Sequence, residues 1–422
     1  MITEQLGKYN FEYRDNTLHW YGVNIKEIAE NVGTPVFIFS TEEFVKRIRR
    51  LKENTDYDHL LCFSLKSNNN PYFILAAKKE GYGVDVVSGG ELYIARKAGV
   101  HPKKIVFSGV GKTNEEIQMA QKEGILLLNI ESESEYKAVK EISKSQNLNF
   151  GISFRVKFEI ALDKLHPYLG VGKKESKFGI NEDLALELYK NAISNGLPIE
   201  GIHFHLGSQI KDLEIFRKAS ELCENFLGKI ESLGCKIKYV DVGGGLGLDY
   251  EKLEEPNLKE YIDCFKNIGE KYKVIFELGR YLSAPSGILI SKVIRKKEKE
   301  GSKVFLVVDS GMTETLRIPL YKVSHKVIPV NLRNSTEKVF DIVGPICENS
   351  DYIAQDIVFP NLEEGDLICV LYAGAYTTTM SSNYNGRLFP PEIIISNQKY
   401  FVSRKRQDYQ ELFSRDQFEE QT

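Results

Sequence analysis

The sequence predicts a (β/α)₈ barrel together with a second, all-β domain. Between about residues 60 and 285, eight short apolar runs follow one another, each succeeded by a segment compatible with a helix. After about residue 285 helical segments become rare, and strands separated by turns follow one another. Alternating strands and helices are typical of a parallel sheet, whereas consecutive strands indicate a separate antiparallel β domain.

The barrel strands are predicted from β-branched or aromatic runs that end at glycine or at a polar residue. They lie at 60–65, 83–88, 104–109, 125–131, 151–156, 202–207, 239–245 and 274–280. The segment GGELYIARKAG (89–99) illustrates the helices between them, because apolar residues lie among charges and a glycine closes it. A doubly wound open sheet is the alternative architecture for the same rhythm.

The second domain is predicted from both ends of the chain. Strand-like runs between residues 303 and 406 supply most of it. FEYRDNTLHWYG and TPVFIFS, near the start, are also strand-like and complete it from the other end. We therefore expect the barrel over 36–285, and a β-sandwich or β-barrel-like domain over 1–35 and 286–422.

Composition excludes several classes of protein. A formal net charge of −3 gives no electrostatic reason to expect a nucleic acid or an anionic membrane as partner. The N-terminus lacks the basic-then-apolar order of a signal peptide, and no apolar run approaches the ~20 residues that span a bilayer. The six cysteines include no CxxC pair, which argues against a zinc site and a disulfide framework. We expect a cytoplasmic protein without a bound metal.

Residues capable of chemistry recur where the predicted barrel strands end. In a (β/α)₈ barrel the loops at these ends converge on one mouth. The candidates there are Lys66, Asp85, Ser88, Ser108, Arg155, His205, Ser208, Gly243, Gly244, Gly245, Glu277 and Arg280. One polar loop residue carries no weight, but a repetition over most strands indicates a functional mouth.

Three of these features have a specific chemical interpretation. Lys66 follows an apolar run, as expected of a partly desolvated lysine that forms a Schiff base. The glycine run 243–245 offers backbone N–H groups for a phosphate. Glu277 could hold a pyridine nitrogen protonated, and Arg280 offers a fork for phosphate or carboxylate. Each feature also has an alternative without a functional role: a surface lysine for Lys66, a tight strand-to-helix turn for 243–245, and an intramolecular ion pair for Glu277.

Two further segments stand out. We expect His203 and His205 to point to opposite faces of their strand, so that only one reaches the mouth and a two-histidine metal site is disfavoured. In the β domain, GPICENSD places Cys347 beside Glu348, where the thiol is either a proton donor or a small buried residue. Tyr376 follows a strand among small residues, as though its backbone approaches another group closely.

Taken together, the motifs resemble those of the alanine-racemase-fold (fold type III) pyridoxal-phosphate decarboxylases. The resemblance covers nearly the whole chain and is strongest to the diaminopimelate decarboxylase family, with ornithine and arginine decarboxylases as relatives. The motifs, in order, are LKSNNNP, GYGVDVVSGGEL, IVFSGVGKT, HPYLGVGKKESKFGI, HFHLGSQI, DVGGGLG, FELGRYL, RIPLY, GPICENSD and AGAYTTTMSSNYNGR. Each motif alone is weak, but their shared order makes the assignment strong.

The resemblance implies a role for each matching residue. Lys66 would bind pyridoxal 5'-phosphate covalently, with His205 stacked on the ring and Asp85 nearby. Glu277 would pair with the ring nitrogen. The phosphate would be bound by Ser208, Gly243, Gly244, Gly245, Gly279, Arg280 and Tyr376. Substrate would be held by Arg280, Arg317, Tyr321, Glu348 and Tyr376, and Cys347 would donate a proton from the partner subunit of a homodimer.

The implied activity is decarboxylation of an amino acid, with meso-2,6-diaminopimelate converted to L-lysine as the leading hypothesis. A second amino-acid head on the substrate needs both a cation and an anion, which Arg317 and Glu348 would supply. The alternatives are a relative acting on ornithine, lysine, carboxynorspermidine or a natural-product intermediate, a racemase on the same barrel, and a decarboxylase-like binding protein without cofactor.

Overall fold

The computed structural model of the protein describes residues 2–160, 176–298 and 303–417. These residues form two compact units. The barrel unit comprises Phe44–Asp249 and Glu254–Leu282, and the sheet unit comprises Met1–Glu43, Tyr250–Leu253 and Ser283–Thr422. Each unit is therefore built from more than one stretch of the chain.

Eight parallel strands close into a ring in the barrel unit, and they follow one another around it in chain order. The strands are His59–Ser64, Gly83–Val86, Ile105–Phe107, Leu127–Ile130, Gly151–Arg155, Ile199–His203, Tyr239–Asp241 and Lys273–Phe276. The ring closes where the last strand pairs with the first, with Val274 opposite His59. The predicted (β/α)₈ barrel is confirmed, and the open-sheet alternative is wrong.

Helices alternate with the barrel strands along the chain, and the first of them precedes the first strand. They are Thr41–Asn54, Pro71–Lys79, Gly89–Lys97, Asn114–Glu123, Glu133–Ser145, Glu182–Ser194, Glu214–Glu231, Leu258–Asp263, Lys266–Gly269 and Arg280–Ser283, with a 3₁₀ turn at Pro102–Lys104. Several begin with a side-chain cap, as at Asn70, Ser88 and Thr113. An N-cap oxygen accepts from an amide that has no partner inside the helix. The chain therefore turns from strand to helix within a few residues.

Nine strands form the main sheet of the sheet unit. Seven follow one path, in the order Tyr352–Pro360, Glu337–Val343, Val304–Val308, Gly287–Glu298, Val36–Ser40, Glu392–Ser396 and Lys399–Arg404, and Leu367–Val370 and Val327–Pro329 join at one side. A separate antiparallel sheet contains Phe11–Arg14, Thr17–Trp20 and Val23–Asn24. The predicted β domain, completed by an N-terminal segment, is confirmed.

Short helices complete the sheet unit. They are Ile2–Gly7, Ile25–Val32, Met312–Thr315, Arg317–Tyr321 and Tyr409–Leu412, with 3₁₀ turns at Ala284–Ser286, Thr378–Met380 and Tyr384–Gly386. Among the helices of the described residues, none combines the length and the apolar character needed to cross a membrane.

The sheet unit differs from its prediction in two respects. The main sheet is mixed, whereas the rhythm of strands and turns predicted an antiparallel domain, because Val36–Ser40 runs parallel to Glu392–Ser396 and Val304–Val308 parallel to Glu337–Val343. The strand Val36–Ser40, which the expected boundaries placed with the barrel, pairs within this sheet. All five of its residues are buried, so its apolar character reflects a central position in the sheet.

Gly374 lies where the sheet unit has no room for a side chain. A Cβ there would lie 1.8 Å from the backbone oxygen of Ser283 and 2.8 Å from the backbone nitrogen of Gly287. We expect Gly374→Ala to lower the free energy of unfolding by about 2–3 kcal/mol, because the backbone must shift to relieve the overlap. Gly228→Ala is the control, since a Cβ at that exposed helical position meets nothing within 4 Å. Equal stability of the two variants in chemical denaturation would contradict the packing argument.

Candidate active site

Lys66 and Asp85 form an ion pair in the barrel unit. Lys66 follows the first barrel strand, and its Nζ donates to Asp85 Oδ2 at 2.6 Å. The Lys66 side chain is 33% exposed, whereas that of Asp85 is fully buried. Burial and the negative charge of Glu277 raise the pKa of Asp85, and the ammonium of Lys66 opposes them. The amine is therefore partly accessible and anchored by a carboxyl group from the neighbouring strand, an arrangement compatible with a Schiff-base lysine.

Glu277 lies directly after the last barrel strand, and its carboxylate is buried among polar groups from other strands. Ser108 Oγ donates to Glu277 Oε1 at 3.0 Å. His203 Nε2 lies 3.6 Å from Glu277 Oε2, with both side chains almost fully buried. Burial would raise the pKa of Glu277, but attraction to His203, Lys66 and His205 outweighs it and holds that pKa well below its usual value. Glu277 is therefore an ionised carboxylate inside the protein.

A hydrogen-bonded network continues from Ser108 through the barrel interior. Asn129 Nδ2 donates to Ser108 Oγ at 2.9 Å and to Asp241 Oδ2 at 3.1 Å. Ser153 Oγ donates to Asn129 Oδ1. Burial and the charge of Glu277 raise the pKa of Asp241 well above its usual value. The negative charge of Glu277 therefore opposes the ionisation of the neighbouring Asp241.

Glycines 243 and 244 bring the backbone of their turn against neighbouring groups of the site. Gly243 has φ +67°, and a Cβ there would lie 2.5 Å from His205 Nδ1. A Cβ on Gly244 would lie 2.2 Å from the backbone oxygen of Glu277. Gly244 N donates to His205 Nδ1 at 3.0 Å, so this ring nitrogen carries no proton. The turn holds the imidazole in one tautomer.

Arg280, which follows the eighth barrel strand, contacts Ser208, which follows the sixth. Arg280 Nη2 donates to Ser208 Oγ at 2.9 Å. Arg280 is the first residue of the helix Arg280–Ser283, and Gly279 before it lies so close to Ser67 that a Cβ there would be 2.8 Å from the serine side chain. A guanidinium, a hydroxyl and backbone N–H groups are the donors that a phosphate requires.

A second ion pair was not predicted as a unit from the sequence. Arg155 Nη1 donates to Glu131 Oε1 at 2.7 Å, and Gly109 N donates to the same oxygen at 2.8 Å. Arg155 was a candidate as a strand-end residue, whereas Glu131, Asn129, Ser153 and Asp241 were missed. Asn129 could have been found from the sequence, because it is a polar residue inside the apolar run LLNI. A polar side chain buried there needs hydrogen-bond partners.

The expectation for the two histidines is wrong. Residues two apart on a strand share a face, the strand itself ends at His203, and both imidazoles act electrostatically on Glu277. Among the described residues, His203, Asp241 and Glu277 have ligand-capable atoms within 4.8 Å of one another. This group contains one histidine, and the absence of a bound metal stays a prediction.

The predicted substrate residues other than Arg280 belong to the sheet unit. Arg317 begins the helix Arg317–Tyr321 and is 1% exposed, although it is an arginine. Its guanidinium carbon lies 4.5 Å from the centroid of the Tyr250 ring, and its Nη1 lies 3.0 Å from His325 Nε2. Tyr321 ends the same helix. This short helix therefore carries two of the residues that are predicted to bind substrate, Arg317 and Tyr321.

Cys347 and Glu348 lie in a loop whose shape is set by a buried aspartate. Asp351 Oδ2 accepts from Ile346 N at 2.7 Å, and its other oxygen accepts from Met312 N. Cys347 is exposed, and its backbone N–H donates to Asn385 Oδ1 at 2.9 Å.

The motif AGAYTTTMSSNYNGR meets this loop. Tyr384 OH donates to Glu348 Oε1, and Tyr376 has φ +55°, a backbone conformation uncommon for a tyrosine. GPICENSD and this motif therefore form one surface of the sheet unit. Most of HPYLGVGKKESKFGI falls within 161–175, outside the described residues.

The barrel residues fit the chemistry of pyridoxal phosphate. The group needs an amine for its aldehyde, an anion for its protonated ring nitrogen and donors for its phosphate. Lys66 supplies the amine, and Glu277 supplies a buried carboxylate with a depressed pKa. The pair Arg280–Ser208 and the turn at Gly243–Gly245 supply the phosphate donors. Barrel and site together define a pyridoxal-phosphate enzyme.

Comparison with known families identifies the class. The model of the pyridoxal-dependent decarboxylase family, covering its pyridoxal-binding domain, matches residues 41–284. The matched range contains the entire closed barrel and every barrel residue of the site described above. The chain is thus a pyridoxal-dependent decarboxylase by fold and by site.

Individual relatives show which family of decarboxylases the chain belongs to. Diaminopimelate decarboxylase of Aquifex aeolicus is 39% identical over 412 residues, 96% of this chain and 97% of that protein. The Helicobacter pylori enzyme complexed with L-lysine superposes with a TM-score of 0.88 at 36% identity, over 92% and 98% of the two chains. The M. jannaschii enzyme in co-complex with L-lysine gives 0.89 at 31% identity, over 98% and 99%. The chain belongs to the diaminopimelate decarboxylase family.

His205 predicts a pH dependence of stability. Burial and the positive charges of Arg155 and Lys66 hold its pKa well below the usual value. The neutral ring therefore stabilises the fold fully above the unfolded-state pKa of ~6.5, and this contribution falls as the pH drops below it. Between pH 6.5 and 5, we expect the free energy of unfolding to decrease more steeply for the wild type than for His205→Gln. The difference between the two slopes should reach up to ~1.4 kcal/mol per pH unit.

The measurement is urea denaturation of both proteins across this pH range. The control His101→Gln removes an exposed imidazole and should retain the wild-type slope. Parallel curves for wild type and His205→Gln would show that His205 is not held neutral by the barrel.

Proposed function

We propose that this protein is a cytoplasmic homodimer that decarboxylates meso-2,6-diaminopimelate to L-lysine. The observation that carries the proposal is the buried, ionised Glu277 beside the Lys66–Asp85 pair, in a chain similar over nearly its whole length to diaminopimelate decarboxylases. Two structural relatives hold L-lysine, the product of this reaction.

The barrel residues bind and polarise the cofactor. Lys66 would provide the amine that holds pyridoxal phosphate. Glu277 holds a proton at the pyridine nitrogen, because a buried carboxylate with a depressed pKa favours an adjacent positive charge. His205, as a neutral imidazole, would help to hold the ring, and Glu277 would be the group that balances the charge of the ring. Arg280, Ser208, Tyr376 and Gly279 bind the phosphate with the turn at 243–245.

The bound cofactor supplies an electron sink for the electron pair left behind when the substrate carboxylate departs as CO₂. Asp85 fixes Lys66 through their ion pair. We propose that the partner subunit's Cys347 delivers a proton to the substrate carbon. The exposure of Cys347 on its loop allows such a contact, and the hydrogen bonds of Asp351 and Asn385 hold the loop in one shape.

The distal end of the substrate defines the specificity. Diaminopimelate carries a second amino-acid head, with one positive and one negative group. We propose that Arg317 binds its carboxylate and that Glu348 binds its ammonium, with Tyr321 and Arg280 completing the site. An arginine fork matches a carboxylate in geometry as well as in charge. Ornithine, lysine and carboxynorspermidine lack one or both of these distal features or place them at another distance.

The substrate is tested by CO₂ release from the holoenzyme with meso-diaminopimelate, L-ornithine, L-lysine and carboxynorspermidine. We expect release from diaminopimelate, with L-lysine as product, and rates at least ~100-fold lower with the others, because these bring no distal carboxylate to the buried Arg317. Lys66→Ala should abolish turnover, and borohydride reduction of the wild type should fix the cofactor to the peptide containing residue 66. A preference for another amine would assign a different substrate to the same cofactor site.

The homodimer is tested by mixing two inactive variants. If the partner subunit's Cys347 completes each site, a mixed dimer of Lys66→Ala and Cys347→Ala contains one site with both wild-type residues. We expect random exchange to restore about a quarter of the wild-type activity, since half of the dimers are mixed and each has one working site. Mixing two batches of the same variant is the control. Absence of recovery despite subunit exchange would place Lys66 and Cys347 of one chain in the same site.

A further inference from the structure

His325, four residues after Tyr321, has no role in the function proposed above. It is 4% exposed, and both of its ring nitrogens contact polar atoms of the sheet unit. Nδ1 lies 2.9 Å from the backbone oxygen of Leu371, and Nε2 lies 3.0 Å from Arg317 Nη1. A buried imidazole with two defined partners has its orientation and tautomer determined.

The two contacts permit one protonation state. A carbonyl oxygen only accepts, so Nδ1 carries the proton and donates to Leu371. A guanidinium only donates, so Nε2 must offer its lone pair to Arg317. A protonated imidazole would place two N–H groups against each other at this contact. His325 is therefore a neutral acceptor for Arg317.

The frame around His325 is rigid. Lys326 N donates to Tyr250 O at 3.0 Å, and Leu371 N donates to Lys326 O at 2.9 Å. The Tyr250 ring meets the His325 ring edge-on, with centroids 4.7 Å apart, and presents its face to the guanidinium of Arg317. Arg317 is thus held at one N–H by His325 and at one face by Tyr250.

These two contacts orient the guanidinium without neutralising it. A guanidinium is planar, so one fixed N–H and one fixed face determine the direction of its other N–H groups. An aspartate or glutamate in place of His325 would fix the same plane, but it would compete with an incoming carboxylate. A neutral acceptor brings no negative charge that would compete with that carboxylate.

We propose that His325 is a positioning residue that selects substrates carrying a carboxylate at the distal end. It aligns the Arg317 fork without adding a competing negative charge, and Tyr250 contacts the face of the guanidinium. The proposal rests on the proposed function, in which Arg317 binds the distal carboxylate of diaminopimelate.

The test compares His325→Asn with His325→Gln in the holoenzyme. The asparagine amide reaches the position of Nδ1 and retains the link to Leu371, but it loses the acceptor for Arg317. The longer glutamine places an amide oxygen near the position of Nε2 and retains the acceptor. We expect the KM for diaminopimelate to rise about tenfold in His325→Asn, the loss typical of a hydrogen bond to a charged group, and less than about threefold in His325→Gln. kcat should change by less than about threefold in both.

Ligand binding separates positioning from a general structural role. When L-lysine is bound as the product of the reaction, its carboxylate lies at the distal end, whereas cadaverine has no carboxylate. The affinity of His325→Asn for L-lysine should fall about tenfold while its affinity for cadaverine stays within about twofold of wild type. The control His19→Gln, at a histidine that contacts Thr17 O at 3.0 Å, should leave both affinities unchanged.

The outcomes distinguish this inference from the proposed function. If wild type decarboxylates diaminopimelate but the Asn and Gln variants share one KM, or lose affinity for both ligands equally, the role of His325 is overturned and the function stands. If wild type ignores diaminopimelate, the proposed function fails first. A preference of wild type for L-lysine over cadaverine that His325→Asn removes would then still support the positioning of Arg317.

Discussion

The structure depends on keeping one negative charge, that of Glu277, inside a protein barrel. An isolated carboxylate in such a place would take up a proton, because burial disfavours its charged form. Here His203, Lys66 and His205 offset that cost, and Ser108 donates to the same carboxylate. For the neighbouring Asp241 the shift is in the other direction: burial and the negative charge of Glu277 raise its pKa. Much of the polar interior of the barrel is arranged around this one ionised group.

Sequence patterns predicted most of the fold, because the barrel repeats one local rule eight times. Each strand is a short apolar run, and helix caps such as Asn70, Ser88 and Thr113 mark where the chain turns. The central position of Val36–Ser40 could not be read in the same way. Its neighbours in the sheet lie more than 240 residues away in sequence, and an apolar run of five residues indicates burial without naming its partners.

Sequence patterns predicted individual site residues better than the relations between them. Lys66, Asp85, Glu277 and Arg280 were identifiable because they lie near the ends of barrel strands or just after them. The network of Asn129, Ser153 and Asp241 was not, because a polar residue in an apolar strand shows that a partner exists and not which one. His325 illustrates the same limit, since its importance arises from contacts with Arg317 and Leu371 that only the folded sheet unit creates.

Because both units are built from separate stretches of the chain, the order of synthesis on the ribosome determines when their strands can pair. The ring of parallel strands is encoded by one interval, His59 to Phe276, and can close once that interval has emerged. Val36–Ser40 is synthesised before it, yet its two neighbouring strands, Gly287–Glu298 and Glu392–Ser396, emerge afterwards. An apolar strand must therefore wait with both edges unpaired through most of translation, which is when nascent chains are most exposed to aggregation.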